Sequence, residues 1–173
     1  MGARLLVCRL VCCLVLIVFT RPGLAEDEPA VQRLSLVQFN ELIQTENRCV
    51  LVAFLAAWCA PCIEELPDLV DIHTRYKNRG LNVIGISVDF DGPRAILPLL
   101  AEKKVTFPVY WVGNDVTESY GVAGIPLILL VRDGKVIERI KGKRNKKFLN
   151  HTVEAFMGDG VSKKTGDERD PID

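Results

Sequence analysis

Trp58-Cys59-Ala60-Pro61-Cys62 is the stretch whose residue types and spacing can do chemistry. Two cysteines three positions apart share one face of a helix, where each sulfur can exchange a disulfide with the other or with a third sulfur. The nucleophile in that exchange is a thiolate, so something must hold a sulfur as an anion. The run Cys49 to Leu55 (CVLVAFL) is continuously apolar and reads as a strand buried on both faces, and a helical pattern follows the cysteines. The pair therefore falls where a buried strand turns into a helix. A helix start presents unpaired N–H groups and the positive end of its dipole, which lowers a cysteine pKa from about 8.5 towards 7 or below. On this reading Cys59 stands at the exposed helix end and attacks, while Cys62, one turn on and nearer the interior, resolves the mixed disulfide. Pro61 suits the first helical turn, where a missing N–H costs little. A permanent structural disulfide and half of a zinc site are the competing readings. A stable zinc site needs about four ligands, and no second cysteine pair or histidine cluster follows in the sequence.

The elements that must position this pair alternate along the chain. Glu26 to Arg33 reads as a polar lead-in. Ser35 is placed to cap a helix from Leu36 to about Thr45. The helix that begins at Cys59 is expected to run to about Asn78, with Ile63, Leu66, Leu69, Val70 and Tyr76 inward, a kink at Pro67, and Gly80 as its left-handed cap. Leu81 to Val88 reads as a second buried strand. A helix from Pro93 to about Lys104, disturbed at Pro98, leads to a short strand at Phe107 to Trp111 and a short helix at Asp115 to Tyr120. Leu127 to Arg132 and Lys135 to Lys141 flank Asp133-Gly134, a tight-turn signal, and so form a hairpin. Asn145 to Met157 is amphipathic and helical. The order implies an α/β protein with a mixed central β-sheet flanked by helices.

The chain has 173 residues, 49% of them hydrophobic, enough for one domain with a core. Its net charge is formally zero, but residues 1–25 hold Arg4, Arg9 and Arg21 and no acid, so the remainder carries −3. A mildly acidic body gives no reason to expect binding to nucleic acid or a membrane surface through charge. The basic start, the apolar run Leu10 to Phe19 and the small residues of Gly23-Leu24-Ala25 read as a secretory signal peptide over 1–25, or an uncleaved membrane anchor, which would be the chain's contact with a membrane. The domain then spans 26–157, and 158–173 reads as a flexible charged tail. Of six cysteines, Cys8, Cys12 and Cys13 fall in the signal segment. One close pair and an odd Cys49, read as a small buried hydrophobe, do not make a disulfide-stapled scaffold.

The run from Trp58 to Pro67 (WCAPCIEELP) resembles the thioredoxin superfamily. More narrowly it is similar to the TlpA/ResA-like exported branch, with its Trp-Cys-x-Pro-Cys followed by Glu-x-Pro, and Gly124-Ile125-Pro126 before the late strand strengthens the likeness. The similarity covers approximately Leu34 to Phe156 and implies a thioredoxin fold. It also implies that Pro126 is cis beside the redox cysteines and that the Ile125 backbone pairs with an incoming peptide. Cis bonds are essentially confined to X-Pro, and a proline at a strand's first position leaves the ladder intact. By the same resemblance Trp58, Ala60, Pro61, Gly124, Ile125 and Pro126 form the substrate-binding surface. Glu65 matches the family's acidic residue near the pair. Thioredoxin proper has a buried Asp in the preceding strand, where this chain has Ala53, so Glu65 is expected to handle the Cys62 proton, its pKa raised by partial burial. The family often has Thr after the proline; here Leu127 follows.

The implied activity is thiol–disulfide exchange with exported client proteins, with no cofactor beyond the Cys59–Cys62 redox-active disulfide. The branch mostly works as a reductant outside the cytoplasm, in cytochrome c maturation or metal-site assembly, which places the chain in the periplasm. It also implies a DsbD/CcdA-like membrane electron donor, since an unpartnered dithiol in an oxidising space ends up oxidised. The alternatives are a dithiol oxidase or isomerase, a peroxidase, and a non-catalytic or copper-delivery module on the same fold. The last two fit poorly: Trp58-Cys59 is the context of a disulfide exchanger, and copper chaperones of the superfamily use a wider cysteine spacing plus a His.

Overall fold

The computed structural model describes residues 31–44 and 49–162. The expected signal segment, most of the lead-in and residues 163–173 of the expected tail lie outside the described residues. In chain order the elements are β1 (Gln32–Leu34), α1 (Leu36–Ile43), β2 (Cys49–Leu55), α2 (Ala60–Tyr76), β3 (Leu81–Ser87), α3 (Leu97–Glu102), β4 (Val109–Val112), α4 (Asn114–Ser119), β5 (Leu127–Arg132), β6 (Lys135–Lys141) and α5 (Lys146–Ser162). A single turn of 3-10 helix at Lys77–Arg79 joins α2 to Gly80, whose φ of 92° is the left-handed cap.

The strands form one six-stranded sheet in the order β1-β4-β3-β2-β5-β6. β1, β4, β3 and β2 run parallel, β5 pairs antiparallel with β2, and β6 pairs antiparallel with β5. β2 lies near the middle, and its alternation divides the core. Leu51, Ala53 and Leu55 face one layer with Leu66, Leu69, Ile72 and Tyr76 of α2 and Leu149, Val153 and Phe156 of α5. Val50, Val52 and Phe54 face the other, with Phe39 and Ile43 of α1 and Val116 of α4. A strand covered on both sides needs apolar residues at every position, which is the reason for its unbroken hydrophobic run.

Local chemistry sets the boundaries. Ser35 and Gln38 form a reciprocal capping box at the start of α1. Asp133 and Gly134 take φ values of 50° and 72°, as the two central residues of a hairpin turn twisted to match its strands require. Pro67 is accommodated inside α2. Three expectations need correction. β1 lies within and just beyond the expected lead-in. Its three residues pair with β4 in parallel, and the Arg33 guanidinium sits 4.3 Å over the Trp111 ring, so its partner rather than its own pattern makes it a strand. α3 is shorter than expected and starts at Leu97, with Pro98 in its first turn, where proline initiates a helix instead of disturbing one. α5 runs through Ser162, five residues past its expected end and into the segment read as tail.

Gly85, in the middle of β3, permits close packing beneath the sheet's parallel half. A Cβ added there would lie 2.9 Å from Cγ2 of Val109 and 3.2 Å from a Phe107 ring carbon. Gly85→Ala is expected to destabilise the protein by about 1–3 kcal/mol through overpacking. An unchanged midpoint in urea denaturation would show that β4 shifts freely.

Candidate active site

β2 ends at Leu55, the chain turns through Ala56–Trp58, and α2 starts at Ala60 with Cys59 as its N-cap residue. The turn is closed by the Cys59 N–H, which donates to the Ala56 carbonyl at 3.1 Å, and Val88 N–H donates to the Leu55 carbonyl at 3.0 Å, carrying the β2–β3 ladder to the edge of the site. Cys59 and Cys62 are joined by a disulfide, with S–S 2.05 Å and Cα–Cα 5.3 Å. The Cys62 N–H, one of the orphan donors of a helix start, donates to the Cys59 sulfur at 3.3 Å. That contact serves a thiolate better than a thiol, because the donor and the helix dipole both favour negative charge. The expectation that Cys59 stands exposed needs correction: Cys59 is 4% exposed and Cys62 3%. As the N-cap side chain, the Cys59 sulfur folds back over the first turn, and each sulfur of the closed pair covers the other.

Next to Cys59 the surface carries two exposed aromatic rings. Trp58 is 56% exposed and Phe90, in the loop after β3, is 85% exposed. Their rings stack with centroids 5.5 Å apart and planes 6° from parallel. The pair lines a groove of about 450 Å³, with Val88, Val122, Gly124 and Ile125. Among the described residues its lining holds no charged side chain, and Asn114 and Thr117 are its polar members. Trp58, Gly124 and Ile125 are thus brought together, whereas Ala60 and Pro61 lie exposed on the first turn of α2 outside the groove lining. The Ile125–Pro126 peptide bond is cis. Pro126 is buried, and its carbonyl accepts the Gly142 N–H at 2.9 Å.

Glu65 lies one turn beyond Cys62 on the same face of α2, a spacing that brings side chains within about 5–6 Å. It is 2% exposed, and its Oε1 accepts the Arg144 backbone N–H at 2.9 Å. Burial raises its pKa above the usual carboxylate range, and the Arg144 amide opposes that shift. Glu64 points the other way, exposed and paired with Lys143, which holds its carboxyl below the ordinary value. Lys146 pairs with Asp71 in the same manner, so the loop from Gly142 to Lys146 is tied down along α2. Ala53, where thioredoxin proper has an acid, is buried between Gly85 and Ile128 of the neighbouring strands. Cys49 is free and half-buried at the start of β2.

Two site residues escaped the sequence reading. Phe90 gives no periodic signal, because it lies in a loop. Asp89 is 3% exposed, and its Oδ1 accepts the Ala57 N–H at 2.9 Å. The available signal was a Ser-x-Asp at the end of an apolar strand, since Ser87 Oγ donates to Asp89 Oδ2 at 2.8 Å.

A family model described as Redoxin matches residues 28–156. The thiol-disulfide oxidoreductase ResA of Bacillus thuringiensis subsp. konkukian (strain 97-27) is 32% identical over 116 residues, 66% of this chain and 66% of that relative, just under two thirds of its length. Among solved structures, a thiol:disulfide interchange protein from Bacteroides sp. superposes with a TM-score of 0.60 at 27% identity, over 75% of this chain and 87% of that one. A thiol:disulfide interchange protein of the thioredoxin family from Chlorobium tepidum TLS gives 0.58 at 25% identity, over 64% and 80%. The mixed sheet with its flanking helices is the thioredoxin-like fold.

Proposed function

The chain belongs to the redoxin family, and on that premise we propose that it is a thiol–disulfide oxidoreductase acting on client proteins through Cys59 and Cys62. One observation carries the reading: the two sulfurs form a disulfide at a helix start, with the Cys62 amide directed at the Cys59 sulfur. In the reduced enzyme, the Cys59 thiolate attacks one sulfur of a client disulfide and expels the other as a thiolate, which takes up a proton. Cys62 then gives its proton to Glu65 and attacks Cys59, releasing the client's second thiolate and closing the Cys59–Cys62 disulfide. Two electrons pass to the client, and a donor must return them before the next cycle.

The direction of flow that we assign is reduction, outside the cytoplasm, in the service of cytochrome c maturation or metal-site assembly. What supports this is the resemblance of the Trp58 to Pro67 run to the TlpA/ResA-like exported branch, and the signal-like residues 1–25 support export to the periplasm. The assignment requires a membrane donor of the DsbD/CcdA type. Equilibration against glutathione buffers tests it: a potential well below −200 mV is expected, and one near −120 mV, the DsbA range, would replace the reductant with an oxidant.

The groove beside the pair is the place for an extended client segment, with the Ile125 backbone available for β-pairing and the Trp58–Phe90 stack for an apolar side chain. Aromatic contacts of this kind contribute about 0.5–1.5 kcal/mol. Phe90→Ser is therefore expected to raise KM for a peptide disulfide about threefold to tenfold while kcat changes less than twofold. A fall in kcat at constant KM would remove Phe90 from client binding.

A further inference from the structure

The redox turn is held from outside its own element by a buried acid. Asp89 follows β3, and both of its carboxylate oxygens are engaged: Oδ1 by the Ala57 N–H at 2.9 Å and Oδ2 by Ser87 Oγ–H at 2.8 Å. Its own N–H donates to Ser87 Oγ at 3.3 Å, and its carbonyl accepts Trp111 Nε1–H at 2.8 Å. Its main chain is thereby fixed to β4, and its side chain is aimed at the turn two residues before Cys59. A buried carboxylate is expensive without a cation, and among the described residues none pairs with it.

We propose that Asp89 is a positioning residue for the redox pair: by holding the Ala57 amide, it sets the Ala57–Cys59 turn that lays the Cys59 sulfur on the Cys62 amide. The inference rests on the oxidoreductase reading and extends it from the sulfurs to the strand end that aims them. Two effects of Asp89 on Cys59 oppose each other. Its negative charge disfavours a nearby thiolate, whereas the turn that it holds favours one.

Two neutral variants separate them. Asp89→Asn and Asp89→Ala remove the same charge, but Asn keeps an oxygen to accept the Ala57 N–H and Ala does not. The other ionisable groups at this end of α2 and on the loop packed against it, Glu65, Asp68, Arg144 and the Glu64–Lys143 pair, are the same in both. The reduced full-length proteins are titrated by iodoacetamide alkylation read peptide by peptide, alongside thermal melts. The Cys59 midpoint in Asp89→Ala is expected about one pH unit above that in Asp89→Asn, which makes alkylation about tenfold slower at a pH below both midpoints. Equal midpoints in the two variants, whatever their melting temperatures, overturn the positioning role and leave the oxidoreductase reading standing. A wild-type Cys59 that titrates at an ordinary 8.5 removes both. Should Asp89→Ala fail to fold, amide exchange in the wild type decides: the Ala57 amide is expected to exchange at least a hundredfold slower than an unstructured amide, and exchange at the unstructured rate overturns the proposal.

Discussion

Cys59→Ser is expected to abolish disulfide reduction, with turnover of an insulin-type substrate falling by more than about a thousandfold, while Cys62→Ser stops after one half-reaction and retains its client as a mixed disulfide. The asymmetry follows from the positions of the two sulfurs. The Cys62 amide donates to Cys59, and among the described residues no equivalent donor is directed at Cys62. A serine hydroxyl at position 59 is too weakly acidic to supply the anion that attacks sulfur. In Cys62→Ser the attacking sulfur is intact and its helix-end environment unchanged, so the first exchange proceeds and nothing displaces the client. The two variants are compared by turnover assay and by non-reducing electrophoresis after acid quench. Trapping by Cys59→Ser in place of Cys62→Ser reverses the roles. Near-wild-type turnover in both rejects a dithiol mechanism. The same Cys62→Ser protein, returned to its own compartment, identifies the client by what it holds.

How much of this was legible in advance depended on whether a feature is written locally. β2 was plain because burial on both faces demands an unbroken apolar run, and Cys49 to Leu55 supplies one. The Ser35 cap and the Asp133-Gly134 turn were plain because each motif is complete within four residues. β1 was not, since three residues ending in a single buried Leu34 carry no alternation and are a strand by virtue of Tyr110–Val112 beside them. Asp89 was harder to see for a similar reason: it lies 32 positions from the amide it holds, and the Ser87-x-Asp89 pattern at the strand end does not by itself tell a buried acceptor from a solvated loop acid. The burial of Cys59 was misread because helix-end logic fixes the charge environment of the sulfur and says nothing about what covers it. Glu65 is intermediate. The family resemblance put it near the cysteine pair, but its depth comes from the loop at Arg144, 79 positions away.

That loop is what gives Glu65 its second expected behaviour. Glu65→Gln keeps an oxygen to accept the Arg144 amide but cannot take a proton from Cys62. Positioned acid–base groups contribute about 100-fold to 10,000-fold, so steady-state turnover is expected to fall about 100-fold with the first attack by Cys59 unchanged and a mixed disulfide accumulating. In the wild type, turnover should climb with pH as Glu65 ionises through its raised pKa, and that limb should vanish in the variant. Stability has the opposite slope. Because burial raises the folded-state pKa above the unfolded one, the native protein binds more protons in the interval between the two values, and its stability falls as pH rises through that interval. Below the unfolded pKa both states are protonated and the group costs nothing; above the folded pKa the full ionisation cost remains. Gln carries no such dependence, so the stability of Glu65→Gln relative to wild type should increase from pH 4 to pH 8, measured by urea denaturation of the oxidised proteins. A difference flat across pH would mean that the Arg144 amide fully compensates for burial, leaving no raised pKa to tune a base. Equal losses in attack and resolution would make Glu65 a tether for the Gly142–Lys146 loop and nothing more. A pH-dependent stability gain together with a selective loss of resolution is the outcome that only a buried proton acceptor beside Cys62 produces.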